Sequence, residues 1–290
     1  MSLGFCAPDT QSVFESTGSC LALSYLRLIT RLWNDHHRPP HVPPIKVSLP
    51  KDQLLHALRR HTHLPDHKFS RLSTLPASAR QKIEASFRPA RPASWTLNSH
   101  EWLTTPDIER VMQQYQTRYP TFKFIGVFPI DFAARRIDSG RCIEERMCRI
   151  DLKQLAQQGI RRIAAVFNLD RHNQKGSHWV AWYANFDPRR KNFGAFYYDS
   201  VAARPPPEVE RLMSNMSAQI GGLYSMKIAR RFRIDHNVVK RQSGRSECGL
   251  FSMHFIHKMV DGKQDFKDIC NETGTDREMH AYRSIFYRPS

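Results

Sequence analysis

Residues 242–251 read QSGRSECGLF, and the reading of that stretch sets the fold. Cys248 opens an apolar run, CGLFSMHFIHKMV, that ends at Val260 and is followed by Gly262. A run of that length and composition predicts a buried helix whose first residue is the cysteine. At a helix N-terminus the macrodipole and the unpaired backbone N–H groups favour a thiolate over a thiol. Gln242 lies six positions ahead of the cysteine. Its side-chain amide, with the N–H groups around Cys248, supplies the donors that a developing oxyanion requires.

A cysteine nucleophile also needs a base, and the fourteen histidines are candidates. His178 stands apart because it begins HWVAWY inside a strand candidate, 177–184. The next strand candidate, Phe193–Tyr198, runs into Asp199, and the two are joined by DPRRKN (187–192). Antiparallel pairing of these strands would bring His178 beside Asp199. A carboxylate bonded to one ring nitrogen fixes the tautomer and leaves the other nitrogen for the thiol. Singly, each residue has a bland reading: a packed thiol, a structural histidine, a turn aspartate. It is the ordered set that points to chemistry.

The surrounding pattern is α+β, a central sheet flanked by helices. Thr105 followed by Pro106 reads as an N-cap and first helical residue, opening a helix to Arg118. Strands are expected at Phe122–Phe128, Ile160–Phe167 and Arg231–Val239, with helices at Asp151–Gln158 and at Pro206–Ile220, the latter stopped by Gly221-Gly222. Upstream the chain differs. Leu21–Trp33 reads as a helix capped by Ser19, HHRPPHVPP (36–44) as an extended connector, and Lys51–Arg60 and Ser78–Phe87 as further helices. Residues 1–92 are expected to form a helical arm without a large core of its own, and 93–290 a catalytic domain.

Bulk properties narrow the function. Hydrophobic residues are 40 % of the chain, enough for a core, and no stretch is apolar for the length of a bilayer span. The expectation is a soluble protein, not secreted by the usual route and without a membrane partner. Six scattered cysteines in a chain of 290 residues argue against a disulfide framework and for a reducing compartment. No Cys/His spacing matches a common zinc site, and His56, His61, His63 and His67 fit none either, so no metal and no cofactor are expected. The formal charge of +17 suits non-specific nucleic-acid contact through pairs such as Arg59-Arg60 and Arg189-Arg190, with a solvated basic surface as the plain alternative.

The ordered set His178-Trp179, Asp199-Ser200, Gln242 and Cys248-Gly249 resembles the cysteine proteases that include adenovirus proteinase and the processing enzymes of small ubiquitin-like proteins. The resemblance covers roughly residues 93–290 and implies a papain-like, adenain-like core. It also implies a catalytic triad of Cys248, His178 and Asp199, a Gln242 oxyanion hole, and a Trp179 that narrows the substrate channel. EWLTTPDIERVMQQY (101–115) and FKFIGVFPIDF (122–132) are similar to thiol proteases of large cytoplasmic DNA viruses, which also carry an N-terminal helical arm with a Cys-Leu element, here Cys20-Leu21.

That likeness implies a thiol endopeptidase cutting viral structural polyproteins at short glycine-containing motifs during virion maturation, in the virion and the infected-cell cytoplasm. The same residues would equally serve an isopeptidase acting on ubiquitin-like modifiers. They would also serve an acyltransferase, although no motif for coenzyme A accompanies them. A basic DNA-binding scaffold with an inactive protease fold is the alternative outside enzymes.

Overall fold

The computed structural model describes residues 5–289 apart from 12–13 and 15–17. The chain divides into two compact units, Met1–Pro92 with Phe286–Ser290, and Ala93–Ile285.

The first unit is helical. Helices α1 (Leu23–His36), α2 (Lys51–Thr62) and α3 (Ala77–Ala85) are accompanied by a 3-10 turn at Asp66–Arg71. Leu26, Ile29, Thr30 and Trp33 of α1 repeat at three and four residues, so one face is buried. That face belongs to a cluster with Leu54, Leu55 and Leu58 of α2, Phe69 and Ile83.

The expected arm without a core of its own is therefore corrected: this unit has one. Its apolar residues are spread over short elements between proline-rich connectors, so no single window of sequence shows them pooled. Ser19 does not cap α1, which starts behind Ala22 with no side-chain cap. The Ser19 hydroxyl instead accepts from the Leu21 N–H at 3.2 Å and donates to Asp66 at 3.1 Å.

The second unit is built on a five-stranded mixed sheet in the order β1 (Phe122–Pro129), β2 (Arg162–Asn168), β3 (Trp179–Asn185), β4 (Gly194–Tyr198), β5 (Arg233–His236). The outer pairs β1–β2 and β4–β5 are parallel; β2–β3 and β3–β4 are antiparallel. Every residue of β3 and β4 is buried, so both sheet faces are covered. Alternation along β3 places Val180, Trp182 and Ala184 on one face, in a core with Val209, Leu212, Met213, Met216 and Ile220 of a helix at Pro207–Leu223. The helix Cys248–Asp261 packs against β3 as well and is buried at every position from Cys248 to Ile256, as a helix enclosed by its own unit must be. Gly262 ends it in the left-handed region at φ 71°, where glycine alone is unstrained. The α+β expectation holds.

Local departures have physical causes. Helix α4 (Thr105–Arg118), which leads into β1, starts one residue early: Thr104 is the N-cap and forms a capping box with Asp107, a pairing that Thr105 cannot make. The Pro207–Leu223 helix runs through Gly221-Gly222 because Leu223 and Tyr224 still pack on the core beyond them. Strand β5 is only four residues long; just past it the Asn237 N–H donates to the Tyr197 carbonyl at 3.3 Å and its side chain bonds the backbone of residue 199.

The cysteines also differ from expectation. Cys6–Cys20 and Cys142–Cys148 are disulfides, with Cα–Cα distances of 5.2 and 6.6 Å, while Cys248 and Cys270 are free and buried. Cysteine spacing carries no information on a pairing that tertiary structure creates. Among the described residues no helix is long and apolar enough to cross a membrane.

Where β4 meets β5, a Cβ on Gly194 would lie 2.4 Å from the Arg233 carbonyl oxygen. Gly194→Ala should push β5 off the sheet edge and lower stability by about 1–3 kcal/mol in urea titration. An unchanged midpoint would show that the edge strand can shift freely.

Candidate active site

The sheet ladder determines where the two polar groups of the site emerge. β3 and β4 are paired from Ala181–Tyr198 to Asn185–Gly194. His178 immediately precedes β3 and Asp199 immediately follows β4, so both leave the same end of one antiparallel pair. His178 Nε2 lies 2.7 Å from Asp199 Oδ1. Asp199 is fully buried and the His178 side chain is 18 % exposed, which leaves the imidazole one face toward solvent.

Asp199 is held on several sides. Its Oδ1 also accepts from the Val201 N–H at 2.9 Å. The Asn237 side chain accepts from the Asp199 N–H at 2.8 Å and donates to the Asp199 carbonyl at 2.7 Å. Sequence reasoning missed Asn237; an isolated asparagine after a short strand gives no warning of such a clamp.

With Nε2 committed to Asp199, the ring's other nitrogen, Nδ1, is the one left for Cys248, whose side chain is a hydrogen-bond and charge partner of the same imidazole. Burial alone would push the imidazolium's pKa down. The hydrogen bonds to Asp199 and Cys248, and the negative charge on each, outweigh that and carry it from 6.5 up to about 9. The geometry therefore favours a protonated His178 imidazole across the neutral range.

Cys248 is the first residue of its helix and is buried, as its position in QSGRSECGLF leads one to expect. The first N–H groups of a helix have no acceptor within it and are available to an incoming oxyanion. Gln242, 2 % exposed, sits on the loop before the helix. Its Oε1 accepts from the Ser200 hydroxyl at 2.6 Å, and its Nε2 donates to the Gly244 carbonyl at 3.1 Å. An amide nitrogen carries two hydrogens, so one remains beyond the Gly244 bond. Ser200 thereby fixes which way the amide faces, and the Arg241 and Gln242 N–H groups both donate to the Ser200 carbonyl.

Trp179 is buried, and its indole N–H donates to the Leu103 carbonyl at 3.0 Å. Both residues line a groove of about 520 Å³ together with Trp102, Phe128, Arg171 and His172. Leu103 also abuts Gly249, where an added Cβ would come within 3.0 Å of its Cδ1. One leucine thus touches the neighbour of the histidine and the neighbour of the cysteine. The structure brings His178, Asp199 and Cys248 together, seats Trp179 in the groove wall, and ties Gln242 to Ser200 and Gly244.

Comparison with known proteins was made against this geometry. Residues 163–286, which include His178, Asp199, Gln242 and Cys248, match the Ulp1 protease family, C-terminal catalytic domain. The chain is 32 % identical over 207 residues to a protein of Acanthamoeba polyphaga mimivirus named "Putative thiol protease R355", covering 70 % of this chain and 61 % of the relative. It thus spans about three fifths of that relative's length. A crystal structure of the ASFV pS273R protease superposes with a TM-score of 0.61 at 17 % identity, over 94 % of this chain and 92 % of that one. A selenomethionine form of the same protease gives 0.62, over 98 % and 97 %. At that identity the likeness shows a shared fold.

The raised histidine pKa has a sign that can be checked. Its stabilising contribution is complete below the free-histidine value of 6.5 and is lost as pH rises through about 9. NMR titration of labelled histidine should show His178 deprotonating near pH 9. Asp199→Asn should move that midpoint down, because one of the two raising partners is gone. A midpoint that stayed put would remove Asp199 from control of the ring.

Proposed function

We propose that the chain, whose residues 163–286 match the Ulp1 protease family, C-terminal catalytic domain, is a cysteine endopeptidase in which Cys248 is the nucleophile, His178 the acid and base, and Asp199 the orienting carboxylate. The observation that carries this reading is the single imidazole set between Asp199, at 2.7 Å, and the thiol at the head of a buried helix.

The chemistry follows from the roles. The Cys248 thiolate attacks the scissile carbonyl carbon, and the oxygen takes the negative charge. The Cys248 N–H and the second Nε2 hydrogen of Gln242 receive that oxyanion. The C–N bond then breaks as His178 passes its proton to the leaving amine, and a thioester remains. His178, now neutral, takes a proton from water, which attacks the thioester and releases the acid and the thiolate.

Substrate selection rests on the groove. Trp179, next to His178 in the chain and held by its bond to Leu103, walls the groove, and its likeness to the channel-narrowing tryptophan of related proteases makes glycine-containing junctions the preferred class. The relative from a giant virus supports viral structural polyproteins as the source of those junctions, and action in the virion or infected-cell cytoplasm. The formal charge of +17 supports retention on packaged nucleic acid, a contact that must weaken steeply with salt. The family match favours a second reading, removal of a ubiquitin-like modifier, which uses the same residues.

Cys248→Ala should abolish cleavage of Gly-X peptides drawn from co-expressed structural precursors while leaving the fold intact. Turnover that survives this substitution would sink the mechanism. Gln242→Ala should lower kcat by about 10²–10³ with little change in KM, the usual cost of one oxyanion donor. In parallel assays, faster hydrolysis of modifier conjugates than of Gly-X peptides would favour the deconjugating reading.

A further inference from the structure

Directly before the nucleophile the chain places a carboxylate that has no part in the chemistry above. Glu247 is 2 % exposed. Its Oε1 is met by two imidazoles, His100 Nδ1 at 3.1 Å and His280 Nδ1 at 3.0 Å, whose rings lie 4.3 Å apart. The other oxygen, Oε2, accepts from Arg283 at 3.3 Å. Burial works against a charge on Glu247, but the His280 bond, the Arg283 guanidinium and the His100 bond hold its carboxyl below the usual range.

All three donor atoms lie within 4.8 Å of one another, the only such group of His, Cys, Asp or Glu among the described residues. Arg283 occupies the far oxygen, while Oε1 meets the two imidazoles and also accepts from the Ser246 hydroxyl at 3.2 Å. The two imidazole nitrogens approach that oxygen at 3.0 and 3.1 Å. In tetrahedral zinc, bonds of about 2.0–2.1 Å set neighbouring donors about 3.4 Å apart. A few tenths of an ångström of expansion at Oε1, adjustment of the two ring nitrogens (within 4.8 Å of each other) to the same spacing, and a shift of each ring proton from Nδ1 to Nε2 would convert the hydrogen-bonded cluster into a ligand set. His100, with 65 % of its side chain exposed, opens the fourth position to water.

We propose that His100, Glu247 and His280 form a binding site for a divalent zinc ion, separate from the Cys248–His178 pair. The donor set is two imidazoles and one carboxylate oxygen, a combination that suits zinc. Sequence separations of 147 between His100 and Glu247 and 33 between Glu247 and His280 explain why no spacing motif shows it.

The bound ion joins three segments. These are the turn after Ala93–Thr96 that leads to the groove residues Trp102 and Leu103, the N-cap of the nucleophile helix, and the helix Asp276–Ala281. Its consequence is to fix the residue before Cys248 to the rim of the substrate groove.

The test uses the full chain as Cys248→Ala, which removes the thiol and with it any zinc bound between Cys248 and His178. The disulfides are kept by omitting reductant. Zn²⁺ is titrated against a chromogenic chelator, and uptake is compared with that of Cys248→Ala/His100→Ala and Cys248→Ala/His280→Ala. The expected result is one equivalent of tight zinc in the parent that weakens by more than about tenfold in each double variant, with a zinc-dependent rise in Tm seen only in the parent. His100 is exposed, so its removal leaves the fold standing and decides the matter if His280→Ala unfolds. Overlapping titration curves for the parent and the His100 variant would overturn the site, as would no uptake in the parent.

Discussion

The antiparallel ladder between β3 and β4 is the constraint on which the rest of the site depends. Five residue pairs fix the register, and because side chains alternate with a period of two, a slip of one residue would send His178 and Asp199 to opposite faces. The register cannot slip, since both faces of these strands are packed: one by the helix Pro207–Leu223, the other by the helix that begins at Cys248. Hydrophobic burial thus sets the position of the polar groups. The imidazole meets its carboxylate because Trp182 and Tyr183 cannot leave the core.

Electrostatics then acts on what packing has placed. Asp199 is fully buried, and a bare carboxylate in that setting would be costly. Its Oδ1 is satisfied by His178 and by the Val201 N–H, Oδ2 is buried without a hydrogen-bond partner among the described residues, and Asn237 occupies the flanking backbone groups. The same burial that penalises the imidazolium also sharpens its attraction to its two partners, and the partners win. A histidine at the surface, with the same partners at the same distances, would be far less perturbed.

Much of this was legible in the sequence, for reasons that can be named. HWVAWY and GAFYYDS are strands with chemistry at one end, so adjacency of His178 and Asp199 followed from period and loop length. CGLFSMHFIHKMV followed by a glycine announces a buried helix and its first residue. What escaped reading depends on tertiary contact. Ser200 and Asn237 are ordinary turn residues until the fold brings Gln242 and Asp199 to them. Cys6 and Cys20 are joined across 14 residues by helical packing that no cysteine pattern encodes. The core of the N-terminal unit is assembled from short helices, none of them persuasive alone. Thr104 rather than Thr105 caps its helix because Asp107 sits three residues on, a one-residue preference decided by side-chain reach.

Leu103 has a further consequence. Its backbone carbonyl accepts the Trp179 indole N–H and its side chain presses on Gly249, so the groove wall and the first turn of the Cys248 helix share one residue. Selectivity and reactivity are therefore mechanically coupled variables in this protein. A lineage that widened the passage by changing residue 103 would move the start of the nucleophile's helix in the same step. A wider groove at this point would then have to evolve together with compensation at the helix.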